Sequence, residues 1–437
     1  AKIVSIMEDT FGTESDKHAM EIAEHCAAAE TVVGQEKLRH YLIESGEYSL
    51  VIHAYDSAVS YFDRAIETTD QECSPEYARM HFGRGRALSA GFDSKAEESL
   101  KSAFACYEQL GDTESMIAVA TSVVNPTFFL ADNADWNVEA CSRVLEMIEP
   151  GTVQYAYVSL HFALLDFDRV GNDKKTIQAL GEVLTFARTM KESGLEMRTL
   201  AVWATVDSRA HRHADALEKG KQVVELARDR DDPFAEFLAL KGMIVAYRRT
   251  GDKRESECLK KYLALAEKLQ DKQNLLLANH ISAINMYVRG CLDRAMELRI
   301  KAGASASHGT YTRISLGDIE LERGNLDESR RHYTQAATLL TSENAVPAPY
   351  ISHLARHSYL TGEKKWEELA EEYSNKGLIE AREDRESQMH ARNVKIWLAI
   401  AKNDQHAAGE LLSQVMNSLI PDSPTFGIIA GLLATTA

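Results

Sequence analysis

Apolar residues along this chain recur every three or four positions through stretches of about 14 residues, each cut by a Gly-containing turn before a second stretch begins. That spacing is the period of a helix with one apolar face, so the chain predicts pairs of helices joined by tight turns. In VAYRRTGDKRESECLKKYLALAEKLQD, Val245 to Asp271, the turn signal is Thr250-Gly251-Asp252. The stretch LDFDRVGNDKKTIQALGEVLTFARTMKESG, from Leu165, has the same layout 80 residues earlier, with Phe167 for Tyr247, Arg169 for Arg249 and Gly171 for Gly251. Alternating Val, Ile and Thr bounded by Asn-Gly or Asp-Gly, the signature of paired strands, is missing, and little or no sheet is expected.

Aligning the turns makes Gly91, Gly171, Gly251, Gly290, Gly324 and Gly362 equivalent, with weaker equivalents near Ala131, His211 and Asn403. The intervals between the glycines are 80, 80, 39, 34 and 38, a unit of about 40 residues in which Ala131 and His211 mark two units without Gly. A helical hairpin cannot bury its apolar stripe alone, so repetition at this period means that each stacks on the next. About ten hairpins account for nearly the whole chain. The fold class predicted is therefore all-α, an α–α superhelix read as one solenoid over residues 1–437. It divides into a capping or linker helix at 1–34, hairpin repeats at 35–424 and a tail at 425–437. Pro126, Pro347 and Pro349 cannot continue a helix, and the second of these breaks, near 343–350, predicts a bend.

The packing residues resemble those of the tetratricopeptide (TPR) repeat. In RISLGDIELERGNLDESRRHYTQAATLL, Leu316, Gly317, Leu321, Gly324, Tyr333 and Ala336 sit at its large-small-large positions, as do Ala58, Phe62 and Ala65 in HAYDSAVSYFDRAIE. The longer unit and the phrases KLRHYLIESGEYSLVIHAYDSAVSYFDRAI, GRGRALSAGFDSKAEESLKSAFACYEQLGD and AMEIAEHCAAAE resemble the MalT-like TPR region of bacterial STAND-type signalling ATPases. Such regions occur in LuxR-type regulators and multidomain adenylate cyclases. A helix like Ile22 to Glu30, with a His like His25, leads there from the ATPase module into the repeats. The resemblance implies a sensor or scaffold section. No G-x-x-x-x-G-K-[ST] loop, DNA-reading helix-turn-helix or cyclase module accompanies it in this sequence.

Composition narrows the function classes. A 45% hydrophobic, 26% charged chain with eight prolines suits a folded helical protein. The net charge of −17 argues against a protein that coats nucleic acid. Six widely separated cysteines (Cys26, Cys73, Cys106, Cys141, Cys258, Cys291), with no C-x-x-C pair, suggest neither a zinc knuckle nor a disulfide framework; reduced, mostly buried thiols in a cytoplasm are expected. The longest apolar run, FGIIAGLLA from Phe426, falls far short of the roughly 20 residues of a membrane helix and reads as a packing segment. No secretory signal pattern opens the chain, and its first residue, Ala1, points to a section of a longer polypeptide.

Arg169, Arg209, Arg249 and Arg289 stand 40 residues apart at the ends of first helices. Such a ladder would grip carboxylates or phosphates, or would simply offset the helix macrodipole, worth about 0.3–1 kcal/mol each. Placing the TPR-like register on the chain turns His161, Arg198, Lys241, Arg248, His280, Tyr287, Asp318 and Arg356 toward a groove lined by first helices. Their cationic excess favours an acidic peptide or anionic ligand; solvated charges without a specific partner are the plainer alternative. His353 and His357, spaced i,i+4, share a helix face but lack an H-E-x-x-H glutamate and a third ligand, so they read as structural. His211 and His213, at i,i+2 on a helix, would point apart. Acidic pairs such as Glu97/Glu98, Glu320/Glu322 and Glu371/Glu372 are what Glu-rich helices supply by chance, and Trp136, Trp203, Trp366 and Trp397 read as core anchors.

The expectation is a non-catalytic, cofactor-free protein that binds a protein, an acidic peptide or a small inducer in its groove, with no direct contact to nucleic acid or membrane. Self-assembly through the apolar tail is the alternative, and an unrecognised hydrolase a third.

Overall fold

The structure is a computed structural model that describes residues 1–69, 72–90, 93, 95–122, 134–170, 173–269, 272–302, 309–339, 348–375 and 385–418. Every regular element among them is helical, and from Gln35 to Ser418 twenty helices follow one another as ten successive pairs. The turns at Gly91, Ala131 and Gly171, Pro126 and Pro347, most of the bend near 343–350, the tail from 425 and the Arg169 side chain lie outside the described residues. Two compact units result: Ala1–Asn125 with Glu139–Pro150 and Ser305–Ser307, and Pro126–Val138 with Gly151–Ala304 and His308–Ala437.

The first unit opens with short helices, Lys2–Phe11, a 3-10 turn at Gly12–His18, Ala19–Ala27 and Glu30–Val33, where the sequence predicted one capping helix. Gly12 and Gly34, at φ 53° and 89°, break it at two points, and the helix carrying His25 stops at Ala27. Two hairpins follow: Gln35–Val51 with Tyr55–Glu67, and Pro75–Ala90 with Lys95–Leu110. Phe62, fully buried, is the knob between them. Its ring fills the space where Gly46 and Gly83, on the two first helices, have no side chain.

The second unit holds seven hairpins, with first helices Val153–Val170, Ser193–Arg209, Pro233–Thr250, Lys272–Val288, Gly309–Glu322, Ala348–Thr361 and Arg385–Ala401. Each first helix packs on the helix that follows it. The predicted small-against-large pairing recurs: Tyr333 lies over Gly317 and Met243 over Gly220. Phe237 stacks on Tyr262 at 4.3 Å in the core between the two helices of one hairpin, Pro233–Thr250 and Glu255–Leu269. Trp366 and Trp397 are buried as predicted for core anchors.

One backbone motif ends many of these helices. At the turns inside hairpins the amide N–H of Asp252, Cys291, Asn325 and Asp404 donates to the carbonyl five residues back at 2.9 Å. The residue between has positive φ: Gly251, Gly290, Gly324 and Asn403. His211 does the same at φ 61°, so the weaker equivalents at His211 and Asn403 are turns of one kind with the glycines. Asp112 and Asp232 cap the helices after two of the turns between hairpins, accepting from the backbone N–H of Ser115 at 3.0 Å and Ala235 at 2.9 Å.

The cysteines depart from expectation. Cys73 and Cys106 form a disulfide, because the hairpin fold brings together residues 33 apart in sequence. Cys26, Cys141 and Cys258 are buried free thiols, and Cys291 is exposed. No helix among the described residues is long and apolar enough to cross a membrane.

Candidate binding face on the first helices

All eight predicted groove residues lie on first helices of the second unit. Three of them meet. Tyr287, Asp318 and Arg356 come from three successive first helices, Lys272–Val288, Gly309–Glu322 and Ala348–Thr361. Arg356 donates from Nη1 to the Tyr287 hydroxyl at 3.3 Å and from Nη2 to Glu322 Oε1, which also accepts from Tyr287 at 3.4 Å. Glu322 stands at the surface over the partly buried Arg356 and Tyr287, so this cluster is open to solvent on one side.

Asp318 lies beneath rather than in the groove. It is buried, accepts from the Tyr333 hydroxyl, and pairs with His353 Nδ1 at 2.8 Å. Burial alone would raise its carboxyl, but His353, Arg356 and Tyr333 outweigh burial and hold it below the ordinary carboxylate value. Burial likewise works against the charge on Arg356, yet Asp318, Tyr287 and Glu322 raise its pKa overall. Burial, with Asp318 nearby, pushes the Tyr287 phenol up.

The remaining groove residues spread along the face. His161 is driven to about 4, mainly by burial and then by Arg198 on the next first helix, whose guanidinium also lies 5.8 Å from the Tyr157 ring centre. His280 Nδ1 is 2.7 Å from Arg299 Nη1 on the second helix of its own hairpin. Lys241 is buried where the register expected exposure, while Arg248 is half-buried.

The arginine ladder does not stand free. Arg209 is buried with its guanidinium 4.6 Å from the Phe167 ring centre, and Arg289 pairs with the buried Glu255 at 2.9 Å, beside Asn285 on the same carboxylate. Arg249 is half-buried. The histidine pairs divide. His357 stacks on Tyr333 at 4.1 Å and edges onto Trp366, while His353 faces Asp318, so the i,i+4 pair serves two different neighbours. His211 and His213 do not point apart as expected on one helix. They straddle the turn before His213–Asp229, and their rings meet at 5.5 Å. Among the described residues no group of three or more His, Cys, Asp or Glu is placed to hold a metal.

Sequence reading missed an equivalent set in the first unit. Glu44 and Glu47, on Gln35–Val51, face Arg79 and Arg86 on Pro75–Ala90: Arg79 reaches Glu44 at 2.7 Å and Glu47 at 3.6 Å, and Arg86 reaches Glu47 at 3.4 Å. In both units, then, neighbouring first helices exchange charged contacts.

No family model and no curated protein matches this chain. Solved structures do. A Rap protein complexed with competence and sporulation factor is 11% identical, over 78% of this chain and 98% of that one, with a TM-score of 0.51. The Cut9–Hcn1 hetero-tetramer of APC/C (12%, 99% and 92%, 0.46) and yeast Tom70 (13%, 100% and 95%, 0.42) are also similar. At these identities the likeness is one of fold, and the fold is the TPR-like α–α helical repeat.

Proposed function

We propose that this chain is a non-catalytic binding scaffold that takes a protein segment, acidic in character, along the first-helix face of its hairpins. The convergence of Tyr287, Glu322 and Arg356 from three successive hairpins carries the reading. It puts hydrogen-bonding and charged groups from separate repeats on one solvent-facing strip, which an extended segment can follow. The fold supports it, since the similar Rap protein was solved as a complex with a factor. In the resemblance to STAND-type regulators, such a scaffold is the sensor section of a bacterial signalling protein. An acidic segment fits because it can trade its carboxylates for Glu322 on Arg356.

The test is binding of fluorescent peptides of acidic, neutral and basic composition, followed by polarisation. Acidic peptides bind the wild type, Arg356→Glu weakens them at least tenfold, and Lys301→Glu on a second helix leaves them unchanged. Binding lost through Lys301→Glu and kept through Arg356→Glu refutes the placement.

A further inference from the structure

We propose that Cys73 and Cys106 form a reversible redox couple that locks the segment between the first two hairpins of the first unit. Cys73 lies in the connection from Tyr55–Glu67 to Pro75–Ala90, and Cys106 lies on Lys95–Leu110, the second helix of the next hairpin. The bond thus fastens a connecting segment onto a packed helix.

Three observations make the couple reversible rather than a fixed brace. Each sulfur already has an acceptor beside it: Cys73 Sγ is 3.4 Å from the Cys106 carbonyl oxygen, and Cys106 Sγ is 3.5 Å from the Ser74 carbonyl oxygen. On reduction the two sulfurs need only move apart to non-bonded contact, and each thiol has a carbonyl beside it to accept its proton, so neither is left as a buried unpaired group. Access is unequal, since Cys73 is half-buried and Cys106 is 2% exposed, so an incoming thiolate meets Cys73. The junction between the hairpins stands on Phe62 packed against Gly46 and Gly83, none of which the bond touches.

The chemistry is thiol–disulfide exchange with a small dithiol or glutathione as reductant. A reductant thiolate attacks Cys73 Sγ, the Sγ–Sγ bond breaks, and Cys106 leaves as a thiolate that takes a proton. A second reductant thiol then releases Cys73 as a thiol and carries away the new disulfide. The reverse exchange, with glutathione disulfide as oxidant, restores the bond.

The experiment counts thiols in the full chain equilibrated under native conditions with glutathione disulfide or with dithiothreitol, quenched with acid, freed of reagent and then alkylated in denaturant, so that the buried thiols react as well. Oxidised protein shows four free thiols (Cys26, Cys141, Cys258, Cys291), and protein reduced without denaturant shows six, with unchanged helical circular dichroism. Cys73→Ser shows five in both. Six thiols after the oxidant would overturn the bond itself. Four after dithiothreitol, rising to six only when the reduction itself is done in denaturant, would overturn its reversibility.

Discussion

Gly83→Ala tests the packing that makes the repeats stack. A methyl group at 83, on the first helix of the second hairpin of the first unit, falls within contact distance of three atoms of the buried Phe62 ring. At Gly46, on the facing first helix, the nearest ring atoms are 2.7, 2.8 and 2.9 Å from the added carbon. Carbon pairs settle at about 3.5–4.0 Å, so the overlap is close to 1 Å at Gly46 and larger at Gly83, against a ring held on both sides. Overpacking of this kind costs about 1–3 kcal/mol. Helix propensity works the other way, since Ala replaces Gly in a helix interior with a gain of about 0.5–1 kcal/mol. The net loss expected is about 1–2 kcal/mol. Gly409→Ala, where nothing lies within 4 Å, isolates the propensity gain and should stabilise by its full amount. Phe62→Ala alone costs about 3–5 kcal/mol, but in that background Gly83→Ala loses its clash and turns stabilising. All four tryptophans, Trp136, Trp203, Trp366 and Trp397, belong to the second unit, so tryptophan fluorescence is blind to the change. Amide exchange of the Tyr55–Glu67 helix, with circular dichroism in urea, reads it. An equal effect of Gly83→Ala in both Phe62 backgrounds would refute the knob-and-socket account.

Three further outcomes follow from particular groups. His161 and His357 are held near 4 in the fold, against 6.5 for the free side chain, each mainly by burial. The unfolded chain therefore binds more protons between those values, and stability is full above about 6.5 and falls as pH drops toward about 4. His357→Phe should flatten the urea midpoint against pH in that window. Asp318→Ala strands the buried Tyr333 hydroxyl and should lower stability by about 1–3 kcal/mol in a thermal melt, with His353→Ala milder. The exposed Lys191 has φ 59°, so Lys191→Gly should raise the melting temperature and Lys191→Val lower it.

How far the sequence foretold the structure depends on whether a constraint is local. The turns at Gly251, Gly290, Gly324 and Gly362 were legible because a left-handed residue must end these helices and glycine takes that conformation most easily. The same conformation at His53, Lys191 and Asp231 went unread, since nothing in a lysine or a buried-side histidine announces positive φ. Phe62 and Tyr333 were legible as knobs, because the repeat puts a small residue opposite each at a fixed offset.

Contacts between repeats are another matter, because they depend on how far one hairpin is rotated and shifted against the next. The sequence marked Asp318 as a groove residue, yet the Tyr333 hydroxyl and His353 turn it inward, while Glu322, one helical turn on, takes the surface position beside Arg356. Helical period alone places both acids on nearly one face and cannot separate them. The pairing of Glu44 and Glu47 with Arg79 and Arg86 is hidden for the same reason, and so is the bond between Cys73 and Cys106. A repeat sequence thus encodes its hairpins openly and its binding face indirectly, through the stagger of one hairpin on another. That is why a change at the knob, such as Gly83→Ala, should disturb the Glu47–Arg86 contact within one turn of it as well as stability, and why Arg356→Glu, which removes the cation beside Glu322 and Asp318, should disturb binding and local packing together.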